Sequence, residues 1–278
     1  MAVHRYRRRH DAESTPCPTG GSRENDVQRC FPAKEIRPAW LDGLQVGLML
    51  PALSSSARLF LEGCLWPRCL TPDQKQAVFA TLTEHIYRPG ALVCRRGELA
   101  ANWIGVVEGF VRVQDSTENG RPIMYTGVAA GGWLGEGSLL KVEPLRYEIV
   151  ATRETRTLHM PLETFIGLVD NSGPFTRFLL DHLNERLGLF ISMVKFERLL
   201  EPTARVARSM ASLFHPVLYP NTAPKLRISQ QEIAWMVGVS RQRVNAALQQ
   251  LTHDGIVLTE YGCVTVLNLS RLEHYGAV

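Results

Sequence analysis

The sequence predicts an α+β protein: an antiparallel β-roll of the jelly-roll type, then a long helix, then a small helical domain that ends in a β-hairpin. Three patterns support this fold class. Short runs rich in Val, Ile, Trp and Tyr, separated by glycine turns, begin at Ile86; a long amphipathic pattern follows near 174–200; and two short helical patterns precede paired β-type runs near 229–266. Frequent turns between short runs are typical of small antiparallel barrels and jelly rolls.

The composition is that of an ordinary globular protein. The chain has 278 residues, 45% of them hydrophobic, and a formal net charge of +4, which permits a nucleic-acid partner without requiring one. No apolar run reaches the roughly 18 residues that a membrane-spanning helix needs, and the arginine cluster Arg5–Arg9 is not followed by the apolar core of a secretory signal. We therefore expect a cytoplasmic protein with no membrane partner.

Residues 1–50 are predicted to form a disordered tail, because they mix Arg, Pro, Gly and Ser without apolar periodicity. Met49 is an alternative start, so whether residues 1–48 belong to the native protein is open. The six cysteines are interpreted as reduced thiols, since the only close pair, Cys64 and Cys69, lacks the repeated C-x2-C spacing of a metal site.

Residues 51–173 are predicted to form the β-roll domain with flanking helices. Short helices are expected between Leu53 and Thr83, one of them starting at Thr71-Pro72, where a capping residue precedes a proline. Asn119-Gly120 between two β-type runs predicts a hairpin, since a type I′ turn requires positive φ.

Residues 174–201 are predicted to form one long helix. Its apolar residues recur at three-and-four spacing: Phe175, Phe178, Leu179, Leu183, Leu187, Phe190 and Val194. About 25 residues at a rise of 1.5 Å each give a length near 38 Å. This exceeds the needs of one small domain, so we interpret it as a dimerisation helix; packing only on its own β-roll is the alternative.

Residues 202–278 begin at Pro202, a predicted hinge, and contain a second helix at Thr203–Phe214. Ser229 and Glu232 have the spacing of a capping box, Gly238 suits a sharp turn, and Ser240 caps the next helix. Two short helices joined by such a turn are typical of a helix-turn-helix. The runs Ile256–Thr259 and Val264–Val266 flank Tyr261-Gly262 and supply the hairpin, or wing.

The second of these helices has a polar outer face that is typical of a recognition helix. Arginine bridges guanine, and glutamine or asparagine bridges adenine, in the major groove, whereas a serine hydroxyl at a helix start suits a phosphate. The predicted DNA-binding residues are Ser229, Gln230, Ser240, Arg241, Gln242, Arg243, Asn245 and Gln249. The alternative is a ligand-binding regulatory module whose winged helix contacts protein rather than DNA.

The chain after residue 50 resembles the Crp/Fnr family of bacterial transcription regulators. The segments RPGALVCRRGE with VVEGFVRV, WLGEGSLL with Arg146 ten residues after Glu136, and ISQQEIAWMVGVSRQRVNAALQQLTHDGIV support the resemblance. It implies a cyclic-nucleotide-binding-like β-roll with a small-molecule effector, a homodimer, and a winged helix that binds a palindromic operator in double-stranded DNA. It also implies RNA polymerase as a partner, through His215–Lys225, which the sequence alone shows only as an exposed connector.

The resemblance implies effector-binding residues but leaves the cofactor unknown. Gly135, Glu136 and Arg146 match the ribose and phosphate contacts of members that bind cyclic AMP, whereas Tyr147 replaces a serine. Phe190 and Ile191 stand where the adenine contacts would be and cannot make those hydrogen bonds. A cyclic nucleotide is thus one candidate; the alternative is that Glu136 and Arg146 form a structural ion pair. Gln242 and Ala246 replace a glutamate and an arginine of the recognition pattern, so a different operator is expected.

Other cofactor and activity classes have weaker support. Cys17, Cys30, Cys64 and Cys69 do not reproduce the cluster of iron–sulfur members, and His85 or His159, the candidate haem ligands, are interpreted as structural residues. No nucleophile–base motif, Walker loop or metal quartet is present in the sequence, so we expect no enzyme activity.

Overall fold

The computed structural model describes residues 53–116, 122–220 and 222–276. The predicted tail and the Asn119-Gly120 turn lie outside these residues. Within them the predicted α+β class is confirmed. None of the helices described is long and apolar enough to cross a membrane.

Short helices precede the β-roll. They are α1 (Ser55–Gly63), a 3-10 turn (Trp66–Cys69) and α2 (Pro72–Thr81). The predicted start of α2 is confirmed, since Thr71 and Gln74 form a capping box and Pro72 opens the helix.

The β-roll consists of two four-stranded antiparallel sheets. Their strands are β1 (Thr83–Tyr87), β2 (Leu92–Cys94), β3 (Asn102–Glu108), β4 (Phe110–Ser116), β5 (Pro122–Ala129), β6 (Trp133–Leu134), β7 (Glu148–Ala151) and β8 (Thr155–Pro161). The strand orders are β1-β8-β3-β6 and β2-β7-β4-β5. Strands β4 and β5 pair from Phe110–Ala129 to Ser116–Pro122, as a hairpin requires. Short helix α3 (Glu136–Lys141) interrupts the strands, and α4 (Leu162–Asn171) follows them.

One hydrophobic core lies between the β-roll and the helices around it. Its centre is an aromatic group in which the Trp103 and Trp133 ring centroids are 4.3 Å apart and Trp66 meets Trp133 edge-on at 5.6 Å. All three tryptophans are at most 4% exposed. Large rings with this degree of burial stabilise the roll and fix the helix that packs over it.

Helix α5 (Gly173–Leu199) is the predicted long helix, and its 27 residues extend about 40 Å at 1.5 Å per residue. The apolar stripe predicted as continuous divides into two parts. Phe175 and Leu179 are buried against the β-roll, whereas Leu187, Phe190 and Val194 are 41–58% exposed. The second part is therefore largely exposed in the single chain, with Phe190 and Val194 lining a cleft beside β5.

The C-terminal part contains α6 (Pro202–Ala211), a 3-10 turn (Ser212–Phe214), α7 (Gln230–Val237), α8 (Arg241–His253) and α9 (Leu269–Glu273). A three-stranded sheet in the order β10-β11-β9 is built from β9 (Lys225–Leu226), β10 (Val257–Glu260) and β11 (Cys263–Val266). The predicted helix Thr203–Phe214 thus ends as a 3-10 turn. The wing is confirmed, with a turn at Tyr261-Gly262 whose glycine has φ +68°.

The connector after α6 corrects one expectation. It was interpreted as exposed, but Leu218 and Tyr219 are at most 5% exposed. The Tyr219 ring packs against Gly132 of the β-roll so closely that a Cβ on Gly132 would lie 2.7 Å from the ring. A further contact joins His215 Nε2 of the connector to Glu185 Oε2 of α5 at 3.2 Å. The connector is therefore tied to both the roll and the long helix.

Candidate DNA-binding surface and effector pocket

The helix-turn-helix is built as the sequence predicts. The Ser229 hydroxyl accepts from the Glu232 amide at 3.2 Å and the Glu232 carboxylate accepts from the Ser229 amide at 2.8 Å, which completes the capping box. Gly238 ends α7 with φ +71°, a conformation that is cheap only for glycine. The Ser240 hydroxyl accepts from the Arg243 amide at 3.3 Å and so starts α8.

Helix α8 buries one side and exposes the other. The buried residues are at most 2% exposed: Val244, Ala247, Leu248 and Leu251. We call the exposed set the reading face; it consists of Arg241, Gln242, Arg243, Asn245 and Gln249. At 100° per residue, Gln242, Asn245 and Gln249 lie away from the buried stripe and the two arginines flank them.

The remaining predicted DNA-binding residues lie at the helix starts. Ser240 is exposed, and Ser229 and Gln230 are half-buried. Gln230 Nε2 donates to Asn245 Oδ1 at 3.0 Å, which links the beginning of α7 to the reading face. Among the described residues neither Arg241 nor Arg243 has a carboxylate partner, so both guanidinium groups are available to bases or phosphates.

The predicted effector residues are not all brought together. Gly135, with φ +102°, opens α3 and places Glu136 in the interior, where it is 3% exposed. The Arg146 side chain is 71% exposed and pairs with Glu143 at 3.2 Å. Phe190 lies elsewhere, in a cleft of about 280 Å³ between β5, α5 and α7. The expectation of a Glu136–Arg146 ion pair is therefore wrong, because each residue has a different partner.

The partner of Glu136 is Arg186 of α5, whose Nε lies 2.7 Å from Glu136 Oε1. Arg186 Nη2 also donates to the Trp133 carbonyl at 2.6 Å and lies 3.1 Å from His182 Nε2. We call Glu136, His182 and Arg186, with the neighbouring Tyr147 and Tyr219, the polar cluster. Sequence analysis missed Arg186, because the pair spans 50 residues and no local pattern predicts it.

Burial governs the protonation of the polar cluster. Burial raises the pKa of Tyr147 to about 12, with Glu136 adding to the effect, and raises the pKa of Tyr219 as well. Burial lowers the pKa of His182 to about 4, so its ring is neutral near pH 7. For Arg186, burial acts to lower the pKa, but the charges of Glu136, Tyr219 and Tyr147 and the hydrogen bond to Glu136 together outweigh it. The pKa of Arg186 is therefore raised, and its guanidinium stays protonated.

The polar cluster has free hydrogen-bonding capacity. Glu136 Oε2 and His182 Nδ1 are buried and have no hydrogen-bond partner among the described residues. Buried polar atoms are normally paired with protein or with ordered water, so each of these two atoms can take one more partner. Arg146, which the resemblance assigned to the phosphate of a cyclic nucleotide, is turned to the surface in this arrangement.

The candidate cysteine and histidine ligands lie in structural positions. Cys64 and Cys69 are free thiols, and Cys64 accepts from Trp133 Nε1 at 3.2 Å. His159 is 5% exposed and its Nε2 is hydrogen-bonded to the Thr157 hydroxyl at 2.9 Å. Cys17 and Cys30 lie outside the described residues.

Comparisons with known proteins agree with this architecture. Residues 84–172 match the model of the cyclic nucleotide-binding domain, and residues 204–275 match the Crp-like helix-turn-helix domain. The cyclic AMP receptor protein of Thermus thermophilus is 26% identical over 207 residues, which cover 73% of this chain and 93% of that protein. The cAMP-activated global transcriptional regulator CRP of Haemophilus influenzae is 24% identical over 177 residues, covering 62% and 79%.

A solved structure shows the same fold: FixK2 of Bradyrhizobium japonicum, with a TM-score of 0.58 and 20% identity over 71% of this chain and 98% of that one. The fold and the two domain matches define the class as a transcription regulator with a cyclic-nucleotide-binding-like domain and a helix-turn-helix, and not an enzyme. The chain belongs to the Crp/Fnr family of bacterial transcription regulators.

Proposed function

We propose that the protein is a homodimeric, sequence-specific DNA-binding regulator that reads a palindromic operator with α8. The observation that carries the proposal is the reading face, which presents three amide side chains and two arginines that have no carboxylate partner within the described part of the chain. Ordinary surface helices pair their charges along the helix, whereas these side chains match the donor and acceptor patterns of base edges.

The exposed part of α5 supports the homodimer. Leu180, Leu187, Ile191 and Val194 are 48–61% exposed and follow each other at intervals of seven, four and three residues. This is the spacing of a helix-pairing seam, and an apolar seam of this length favours burial against an identical helix. A two-fold dimer would place its two reading faces about one DNA turn, roughly 34 Å, apart.

Selection of binding sites from random double-stranded DNA tests this proposal. We expect palindromic sites with half-sites centred about 10 base pairs apart. The variant Ile191→Glu should sediment as a monomer and lose the palindromic selection, whereas the matched control Asp181→Glu, on the same helix, should retain both. Selection of no sequence by the wild-type protein would rule out the proposed function.

We also propose that a small polar effector binds at the polar cluster. The unpartnered Glu136 Oε2 and His182 Nδ1 support a ligand with hydrogen-bonding groups there. Because Tyr219 of the connector lies beside the cluster, a ligand that displaces its ring would move the segment leading to α7 and shift the population of DNA-binding arrangements.

Mass spectrometry of the denatured protein tests the effector. We expect a stoichiometric polar compound that co-purifies with the wild-type protein and is lost in Glu136→Gln. An equal yield of the compound from both proteins would place the ligand elsewhere. By resemblance to the family, RNA polymerase is a further partner, and the exposed Pro216 and Ala223 of the connector are the surface to test by cross-linking.

A further inference from the structure

The helix-turn-helix is docked on the β-roll of its own chain through one carboxylate. Glu232 lies in α7, yet its side chain is only 5% exposed and contacts the β-roll. Thr152 Oγ1 donates to Glu232 Oε1 at 2.6 Å, and Arg153 Nη1 donates to Glu232 Oε2 at 3.1 Å. Both donors come from the turn between β7 and β8.

Arg153 also joins the β-roll to the helix-turn-helix by donating hydrogen bonds to backbone carbonyls of both. Its Nη2 donates to the Gly109 carbonyl at 3.0 Å and to the Arg227 carbonyl, which lies between β9 and α7. The β3–β4 turn can present Gly109 in this way because its φ is +100° and a Cβ there would lie 2.5 Å from Thr155 Oγ1. One guanidinium therefore bridges two β-roll turns and the beginning of the helix-turn-helix.

A second contact holds α7 to the neighbouring strand. The Arg112 guanidinium of β4 lies over the Trp235 ring of α7, 5.2 Å from its centroid. An arginine stacked on tryptophan restricts rotation of the helix about its own axis, which the Glu232 contact alone does not.

The capping box leaves Glu232 free to make these bonds. A carboxylate can accept about four hydrogen bonds, and the cap uses one, from the Ser229 amide. The fold of the helix-turn-helix itself requires only the bond from the Ser229 amide. In the docked arrangement Glu232 also accepts hydrogen bonds from Thr152 and Arg153. Burial of this charge is favourable only while its partners are in place, so losing either Thr152 or Arg153 weakens the docking of α7.

The reading face stays exposed to solvent while Glu232 is docked on the β-roll. Arg241, Gln242 and Arg243 are exposed in the docked arrangement, so docking does not cover the surface that would meet DNA. A contact that holds the helix-turn-helix in place without covering the reading face affects DNA binding by setting the orientation of that face. In a dimer, both reading faces must be held at a set spacing to enter successive major grooves.

We propose that Thr152, Arg153 and Glu232 form an interdomain latch that orients the helix-turn-helix for operator binding. The three are positioning residues, and none of them belongs to the reading face. The inference rests on the proposed DNA-binding function. Through the latch, the β-roll controls the orientation of the reading face directly. This control requires neither the polar cluster nor the dimerisation helix α5.

The test combines Arg153→Gln and Glu232→Gln with a double-mutant cycle. Glutamine at position 232 still completes a capping box, so the helix start is retained. We expect each single variant to bind the operator selected by the wild-type protein about tenfold more weakly, within the range of interdomain coupling. The double variant should lose no more than either single variant, because both remove the same contact. Arg95→Gln is the matched control, since Arg95 is a β-roll arginine in an exposed ion pair with Glu98 at 3.4 Å.

Hydrogen–deuterium exchange without DNA supplies an independent readout. We expect peptides that span 227–237 to exchange faster in both latch variants and at the wild-type rate in Arg95→Gln, with the far-ultraviolet spectrum unchanged. Unchanged exchange, losses that multiply to about a hundredfold in the double variant, or tighter operator binding would each overturn the latch. If the wild-type protein selects no operator, the proposed function fails, while the exchange measurement still decides whether the latch exists.

Discussion

The reading face and the polar cluster both contain arginine, in opposite surroundings. The reading face displays Arg241 and Arg243 to solvent with no carboxylate partner among the described residues. Arg186 in the polar cluster is instead buried between Glu136, His182 and the Trp133 carbonyl. An exposed arginine costs little to hold unpaired and is free to bind an anion, but a buried one must be neutralised within the chain. The first arrangement suits recognition, and the second suits the control of structure.

The largest effect is expected for Arg186→Met, which would leave Glu136 buried and unpaired. Removing one partner of a buried pair costs about 3–5 kcal/mol of the free energy of unfolding. Urea denaturation measures this loss. The control is Arg177→Met on the same helix, where the Arg177 side chain is 80% exposed and lies 3.9 Å from Asp181. If Arg186→Met lowers the free energy of unfolding no more than Arg177→Met does, the proposed difference between the buried arginine of the polar cluster and an exposed arginine is wrong.

The next effect concerns the buried histidine of the β-roll. Burial, with His85 adding to it, lowers the pKa of His159 from 6.5 to about 4. Below pH 6.5 the His159 ring is protonated in the unfolded chain but stays neutral in the native one. The free energy of unfolding therefore falls as the pH drops from 6.5 towards 4, by up to about 3 kcal/mol. Above pH 6.5 this loss is absent, because His159 is neutral in both the native and the unfolded chain.

Denaturation at several pH values measures this loss. His159→Gln should reduce the slope between pH 6.5 and 4 and leave the contribution of His182, whose pKa burial also lowers to about 4. His253→Gln, at an exposed position of α8, should leave the slope unchanged. Identical slopes in wild type and His159→Gln would contradict the assignment of a neutral, buried ring.

The smallest effect in free energy is expected on the exposed side. Arg241→Ala should cost about 1–3 kcal/mol of operator binding and relax base preference at one position in each half-site. Fluorescence anisotropy with operator and random DNA measures both. Arg95→Ala serves as the control for the loss of one positive charge. Equal losses on operator and random DNA would mean that Arg241 contacts only phosphate.

Local sequence patterns were enough for the DNA-reading part. The capping box at Ser229, the positive φ at Gly238 and the Ser240 cap are formed between residues no more than four apart, and the structure has all three. Such features depend on short-range hydrogen bonds and backbone sterics, which the sequence displays directly. The antiparallel roll was predictable for a related reason, since turn glycines separate its strands.

The effector side was only partly predictable. The sequence indicated Glu136 and left an ion pair with Arg146 as one alternative, but Arg146 turns to the surface, and the partner of Glu136 is Arg186 on the long helix. The connector was expected to be exposed, yet Tyr219 is buried against Gly132. Both errors arise because a pair distant along the chain leaves no periodic signal.

By itself the sequence determined the fold class, the order of the elements and the identity of the reading face, because these follow from patterns that repeat within a turn of helix or a pair of strands. Only the tertiary structure decided which arginine pairs with Glu136, which half of α5 remains exposed, and that Glu232 serves both a helix cap and an interdomain contact. These outcomes depend on burial, which selects partners by their position in space.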